Sequence, residues 1–286
     1  MIALLILTIG CVYALPRTSD PPADSIIWES LFKSSLDPQR ARQSLKYLTS
    51  TTHVAGSKSD HEQSLWMMEQ FKSFGIPQVE TSEYWPLLNF PVSRSLSLIE
   101  PIVFDAPLTE KAIDEDPDSW NESIVPSFFG YSPSGNVTAP IVFANFGTPR
   151  DFELLSQAGI NVRGKIVLVK YGNAFRGLKV RAAELAGAAA VLVYSDPLQD
   201  GLNRGNVYPG MLYFQSSDYY IDGPYRPETS IQRGSIHYPS FYPGDPLTPG
   251  QPALKNATRL PQDEAPALPK IPALPISYAD AEPVFS

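Results

Sequence analysis

The sequence predicts an α/β fold built around a strand–helix–strand unit with a parallel crossover. Two short apolar, largely β-branched runs at 165–170 and 189–194 flank a helical stretch. Strands joined in this way across a helix usually pair in parallel. Gly187, between the helix and the second run, suits the left-handed conformation that ends a helix. The unit therefore predicts a layered domain around a parallel sheet.

Arg176 lies in the turn before this helix, next to Gly177. Glycine lets the backbone bend sharply, so the guanidinium is free to leave the domain surface and bind a carboxylate through its planar fork. Surface arginines are common, and from the spacing alone a solvated arginine is the simpler interpretation. The helix face that is predicted to pack on the sheet carries, at helical spacing, Leu178, Ala182, Leu185 and Ala186.

Three helical stretches are predicted ahead of this unit. The first is Ile26–Ser34, and the second begins at Pro38 with Asp37 as its N-cap. The third opens with a capping box at 59–62 and ends at Gly75. Further strands are expected at Val79–Tyr84, Leu96–Glu100 and Ile141–Asn145.

Composition excludes some classes of function. The 286 residues carry a net charge of −8, and no cluster of Lys and Arg is present. Because affinity for nucleic acid depends on concentrated positive charge, we expect no nucleic-acid partner. The length is sufficient for one or two hydrophobic cores.

The N-terminus and three sequons predict passage through the secretory pathway. Residues 1–15 resemble a signal peptide with an apolar core, although no Lys or Arg precedes that core. A short uncleaved membrane anchor is the alternative. Cys11, the only cysteine, lies inside this segment, so the mature chain is expected to have no disulfide. The glycosylation sequons begin at Asn121, Asn136 and Asn256.

Four segments resemble one known family. They are YGNAFRGLKVRAAELAGA with the VLVYSDP that follows it, QRGS at 232–235, GDPLTPG at 244–250 and the tail at 271–280. In this order they are similar to the glutamate carboxypeptidase II family, which also includes the transferrin receptors. The similarity extends from about Ser25 to the end of the chain. In that family a protease-associated (PA) domain is inserted into a zinc peptidase domain.

The resemblance implies a domain organisation. It places an N-terminal segment of an aminopeptidase-like α/β domain at 25–118 and a PA domain with the βαβ unit at 119–286. The family's zinc ligands and catalytic glutamate lie downstream of the insert. The chain is therefore expected to hold an incomplete peptidase-like domain, with no catalytic residue and no cofactor of its own. The apolar side chains of its helices are then expected to pack on a sheet that the rest of the peptidase domain supplies. These side chains are Leu45, Leu48, Met67, Phe71 and Phe74.

The resemblance also implies specific site residues. The arginine that matches Arg176 holds the terminal carboxylate of the substrate, and the residue that matches Ser235 is a substrate-binding asparagine in the peptidases. This replacement leaves specificity for glutamate open. Main-chain oxygens that match Thr248 and Gln251 help to hold a structural calcium ion. Zinc and calcium are thus expected in a full-length family member.

Three functions remain open at this stage. The first is the N-terminal and PA-domain portion of a secreted or vacuolar zinc carboxypeptidase, inactive alone, with a peptide or protein ligand. The second is a non-catalytic binding or sorting protein like the transferrin-receptor branch. The third is a free-standing PA domain that acts as a sorting or substrate-recruiting module. The resemblance leaves a homodimer and membrane anchoring of the full-length protein open. The histidines do not indicate a zinc site, since none has HExxH spacing: His53, His61 and His237.

Overall fold

The computed structural model describes residues 23–112, 117–120, 124–201, 203–205 and 225–285. The chain divides into two compact units, Met1–Ser50 and Thr51–Ser286. The predicted signal peptide and the sequon at Asn121 lie outside the described residues.

The first unit contains two helices, α1 (Ala23–Ser35) and α2 (Pro38–Thr49). Both helices were expected from the sequence. The Asp37 side chain accepts the backbone N–H groups at the start of α2, which confirms the predicted cap. Helix α2 buries none of its residues, and Trp28 of α1 is also exposed.

The second unit begins with helix α3 (Lys58–Ser73) and a short antiparallel pair, β1 (Ser97–Leu98) with β2 (Phe104–Asp105). The N-cap of α3 is Ser57, two residues earlier than the predicted box, because its hydroxyl accepts the N–H of Asp60. The strand predicted at Val79–Tyr84 is wrong, since none of the sheets in the described residues offers this segment a pairing strand.

The remaining elements build the part of the fold that carries the candidate site. A 3₁₀ helix at Pro117–Trp120 precedes them. In chain order they are β3 (Phe129–Gly130), β4 (Ile141–Phe143), α4 (Pro149–Gln157), β5 (Ile166–Lys170), α5 (Arg176–Leu185), β6 (Ala190–Tyr194), β7 (Gly234–Ser235), β8 (Ala273–Ile276) and α6 (Tyr278–Ala281), with a closing 3₁₀ turn at Glu282–Phe285.

Strands β4, β5, β6 and β8 form one parallel sheet in that order. The crossover from β5 through α5 to β6 joins neighbouring parallel strands, which confirms the predicted βαβ unit. Gly187 follows α5 with φ of 84°, the left-handed conformation expected there. Strands β3 and β7 form a separate parallel pair.

Both faces of the four-stranded sheet are covered, which explains why its strands are apolar at every position except Lys170 at the end of β5. Val167 and Val191 belong to the core on the face that α5 covers. Leu168 and Leu192 belong to the core on the other face, together with Ile276 of β8 and with Leu108 from outside the sheet. Each of these side chains is almost completely buried, and burial of one such side chain contributes about 1.5–3 kcal/mol.

The predicted core face of α5 is confirmed at Ala182, which is buried, and at Ala186, which packs against the core, but it is wrong at both leucines. Leu178 and Leu185 are exposed, with 41% and 71% of their surface accessible. The helix instead buries Val180, Ala183 and Lys179. Lys179 is accommodated because its ammonium group donates to two main-chain carbonyls, those of Phe146 and Gly172, at 2.6 and 2.5 Å. A stripe counted from apolar residues alone could not include a lysine.

Candidate functional site

A cavity of about 460 Å³ opens at the carboxyl ends of β5 and β6. The loop after β5 supplies Tyr171 and Gly172, and the turn after β6 supplies Ser195 and Asp196. In open parallel sheets ligands bind in crevices at this edge, where loops leave the strands. The volume lies within the roughly 300–1,000 Å³ range of small-molecule sites.

Arg176 is the first residue of α5, so its side chain projects from the amino end of the helix at the rim of the cavity. The following glycine permits this position. A Cβ on Gly177 would lie 2.6 Å from the carbonyl oxygen of Ile236 and 2.8 Å from that of His237. Any larger residue would push the helix away from the segment that follows β7. The FRG sequence thus places the Arg176 side chain next to a glycine that sets the distance of the helix from the segment after β7.

The guanidinium group of Arg176 lies flat against β7. One terminal nitrogen donates to the carbonyl of Ser235 at 3.3 Å, and a Cβ on Gly234 would lie 2.6 Å from Cζ. Gly234 has φ of 141°, which also disfavours other residues. The Phe175 ring lies 5.2 Å from Cζ and supports the cation from another side. The group is therefore held by its own domain, and the sequence expectation of a freely moving side chain is corrected.

The Nε–H donor of Arg176 has no hydrogen-bond partner, although it is buried. Within the described residues no carboxylate lies within ion-pair distance of this guanidinium. The two carboxylates that line the cavity are both paired elsewhere. Asp196 binds Lys170 at 2.8 Å, and Asp200 binds Arg226 at 2.7 Å. The positive charge of Arg176 is thus not neutralised by the described part of the chain.

Tyr171 lines the cavity together with Arg176. Its hydroxyl donates to the carbonyl of Gln232 at 2.6 Å, which links the loop after β5 to the residues before β7. Burial raises the pKa of Tyr171 to about 12, and the nearby charge of Arg176 only partly opposes this rise. The phenol is therefore a neutral hydrogen-bonding group near neutral pH and no acid or base for catalysis.

Ser235 reaches the site through its backbone. Its carbonyl accepts from Arg176, whereas its hydroxyl bonds Nδ1 of His237. Burial lowers the pKa of His237, so the neutral ring is favoured. Since a neutral Nδ1 without hydrogen is an acceptor, the Ser235 hydroxyl then donates to it. The structure brings the two residues together through the hydrogen bond from Arg176 to the Ser235 carbonyl, and the role of each toward a ligand remains a prediction.

Comparisons with known proteins agree with this architecture. Residues 137–236 match the PA domain family. The chain is 37% identical over 223 residues to a probable glutamate carboxypeptidase of Arthroderma benhamiae, covering 77% of this chain and 29% of that protein. The chain belongs to the PA-domain family that includes the glutamate carboxypeptidases. The whole chain is also 31% identical to vacuolar protein sorting-associated protein 70 of Saccharomyces cerevisiae, covering 35% of it.

A third relative of the PA-domain family shows that membership does not fix activity. The chain is 34% identical over 245 residues to an inactive zinc metalloprotease of Schizosaccharomyces pombe, covering 85% of this chain and 29% of that protein. The chain covers 29%, 35% and 29% of the three relatives, so it spans about a third of their length. It is a member of a peptidase family.

Among the described residues, no group of three or more His, Cys, Asp and Glu side chains could hold a metal ion. Asp245 lies near the predicted main-chain calcium ligands, and its carboxylate accepts the hydroxyl of Thr248 at 2.9 Å and the N–H of Leu87 at 2.7 Å. The carbonyl of Thr248 accepts the N–H of Gln251 at 3.3 Å. Calcium binding by Thr248 and Gln251 in a longer protein stays a prediction.

Two of the sequons lie at accessible positions of the PA-domain protein. Asn136 and Asn256 are both exposed, as a glycan would require, and glycosylation itself stays a prediction. Within the described ranges, no helix has the length and apolar character needed to cross a membrane.

Sequence reasoning missed Ser195. This residue lines the cavity, is 7% exposed, and its hydroxyl has no hydrogen-bond partner in the structure. Its position directly after an apolar parallel strand was a usable signal, because the carboxyl edge of such a sheet is where binding residues collect. The lack of a partner could be found only in three dimensions.

Proposed function

We propose that this chain provides the N-terminal segment and PA domain of a secreted or vacuolar zinc carboxypeptidase, and that Arg176 binds the C-terminal carboxylate of the peptide substrate. The observation that supports this function is the half-buried, unneutralised guanidinium at the rim of the cavity, whose Nε–H has no partner. The glutamate carboxypeptidase relative supports the class of reaction.

The chemistry of a carboxylate fits this guanidinium. Arg176 has one nitrogen bonded to Ser235 and a free Nε–H, so one edge of the fork remains for an anion. Guanidinium–carboxylate pairs form two parallel hydrogen bonds, and charged hydrogen bonds contribute about 1.5–3 kcal/mol. The group is already oriented by Gly234 and Phe175, so little side-chain entropy remains to be lost on binding.

The part played by this chain is binding and orientation. Arg176 fixes the end of the peptide, and Tyr171 and Gln232 hold the wall against which the terminal residue lies. The described residues supply no zinc ligand set, so the proposal assigns no step of hydrolysis to them. We propose that this chain alone is inactive.

The experiment is an NMR titration of the chain with two acetylated dipeptides, one that ends in a free carboxylate and one that ends in an amide. Arg176→Lys should weaken binding of the free acid by about 10- to 100-fold, because an ammonium group cannot reproduce the planar fork. Binding of the amide should not change. The matched control is Arg181→Lys on the same helix, whose guanidinium stacks on Tyr238 and Phe241 instead.

The titration can also contradict the proposal. If Arg176→Lys affects the acid and the amide equally, or neither of them, Arg176 does not recognise a carboxylate. If Arg181→Lys has the same effect as Arg176→Lys, the change reflects the stability of α5.

A second candidate function is a non-catalytic binding or sorting protein. It is favoured by the similarity to the vacuolar sorting-associated protein and to the inactive metalloprotease. Under this proposal the partner is a folded protein, and its binding would not require a free C-terminus. Pull-down with a protein partner before and after removal of its C-terminal residue distinguishes the two functions. A homodimer of the longer protein is compatible with either proposal.

A further inference from the structure

We propose that Ser195 is a ligand-binding residue, and that the cavity takes a C-terminal residue whose side chain is polar but uncharged. This inference rests on the proposed function, because it assumes that Arg176 binds the carboxylate of the same residue. It adds a second contact and a preference among substrates.

The first argument is the unused hydroxyl of Ser195. A buried hydroxyl without a partner is energetically unfavourable, so native proteins rarely retain one without reason. Ser195 is 7% exposed, its hydroxyl has no partner among the described residues, and it lines the same cavity as Arg176. Two unsatisfied donors, this hydroxyl and the Nε–H of Arg176, therefore belong to residues that line one cavity. A ligand with two acceptors would satisfy both.

The second argument is the charge of the cavity. Asp196 and Asp200 are matched by Lys170 and Arg226, so Arg176 is the one lining charge left over in the described residues. One excess positive charge neutralises one carboxylate. A second carboxylate on the ligand side chain would have no cation of its own and would lie near Asp196 and Asp200. Burial of an unpaired charge is strongly unfavourable, so a dianionic terminal residue is selected against.

The third argument is the chemistry of the remaining wall. Gln199 and Gln232 present amide groups that both donate and accept hydrogen bonds. An amide or hydroxyl side chain on the ligand could bond these groups and the Ser195 hydroxyl without bringing a charge. Glutamine, asparagine and serine fit this description, whereas glutamate and aspartate do not. The cavity therefore predicts a preference opposite to that of a glutamate-specific site.

The experiment measures dissociation constants of the intact chain for N-acetylglutamine, N-acetylglutamate and N-acetylglutamine amide by NMR titration. We expect N-acetylglutamine to bind about tenfold more tightly than N-acetylglutamate, and the amide to bind most weakly. Ser195→Ala should weaken N-acetylglutamine about 2- to 10-fold, the usual effect of one neutral hydrogen bond. Arg176→Met should abolish the difference between the acid and the amide.

Stability provides the control for Ser195→Ala. Because the removed hydroxyl has no partner in the free protein, the melting temperature should stay the same or rise. A lower melting temperature would show a structural hydrogen bond and overturn the inference. It is also overturned if N-acetylglutamate binds as tightly as N-acetylglutamine, or if Ser195→Ala leaves both unchanged. The proposed function survives these results as long as Arg176→Met removes the preference for the acid. If Arg176→Met has no effect, both the inference on Ser195 and the proposed function are wrong.

Discussion

The buried amine of Lys179 makes the folding stability of the second unit depend on pH in an unusual direction. Lys179 is completely buried, and burial lowers its pKa from 10.5 to about 8, an effect that the charge of Asp151 opposes in part. Between these two values the unfolded chain holds a proton that the folded chain has released. Stability therefore rises with pH in this window.

The magnitude follows from linkage. Below about pH 7 both states are protonated, and the group contributes no slope. Between about pH 7 and about pH 9.5, release of the proton stabilises the folded state by about 2 kcal/mol. Above about pH 10 the buried tyrosines oppose this trend. The pKa of Tyr171, for example, is raised to about 12, so the unfolded phenol ionises first and stability falls.

The assay is urea unfolding followed by far-ultraviolet circular dichroism at several pH values in this range. Lys179→Met keeps the apolar stem and removes the titrating group, so its stability should lack the rise of about 2 kcal/mol. Lys58→Met is the control, since the Lys58 side chain is 90% exposed and should leave the rise intact. Parallel pH profiles for the wild type and Lys179→Met would refute the reasoning, whatever the absolute stabilities are.

Three further predictions concern other parts of the chain. Gly234→Ala should displace the guanidinium of Arg176, because the new Cβ would lie 2.6 Å from Cζ. NMR titration should then show weaker binding of an acetylated dipeptide with a free carboxylate, and an unchanged affinity would contradict this prediction. Limited proteolysis should cleave 25–113 before 120–286, since large apolar side chains such as Val92 (98% exposed) are uncovered there, and equal resistance would count against this prediction. The chain alone should neither bind stoichiometric zinc nor hydrolyse peptides; two zinc ions per chain in metal analysis would show otherwise.

The sequence was sufficient for elements whose signals are local. Strand β6 begins one residue inside the apolar run at 189–194 and ends with it, and the cap at Asp37 was predicted from the side chain and the proline that follows it. The phase of α5 was not accessible in this way. Leu178 and Ala183 are both apolar, and only the position of the sheet determines that Ala183 is buried while Leu178 is exposed.

The candidate site was predictable in part for the same reason. Arg176 could be identified from its motif, but the contact of its guanidinium with the Ser235 carbonyl depends on residues 59 positions apart. The unsatisfied hydroxyl of Ser195 is a property of what surrounds it, so no local pattern could reveal it. Lys179 was missed because a buried lysine requires carbonyl partners from two separate loops.

The close approach at Gly177 has a mechanical consequence. The first turn of α5 and the backbone at 236–237 are separated by less space than one methyl group needs, so neither can slide past the other. Strand β7 is in turn hydrogen-bonded in parallel to β3. The distance between the first turn of α5 and β7 is therefore set by backbone contact, and a side chain at position 177 would move Arg176 away from the Ser235 carbonyl that it binds.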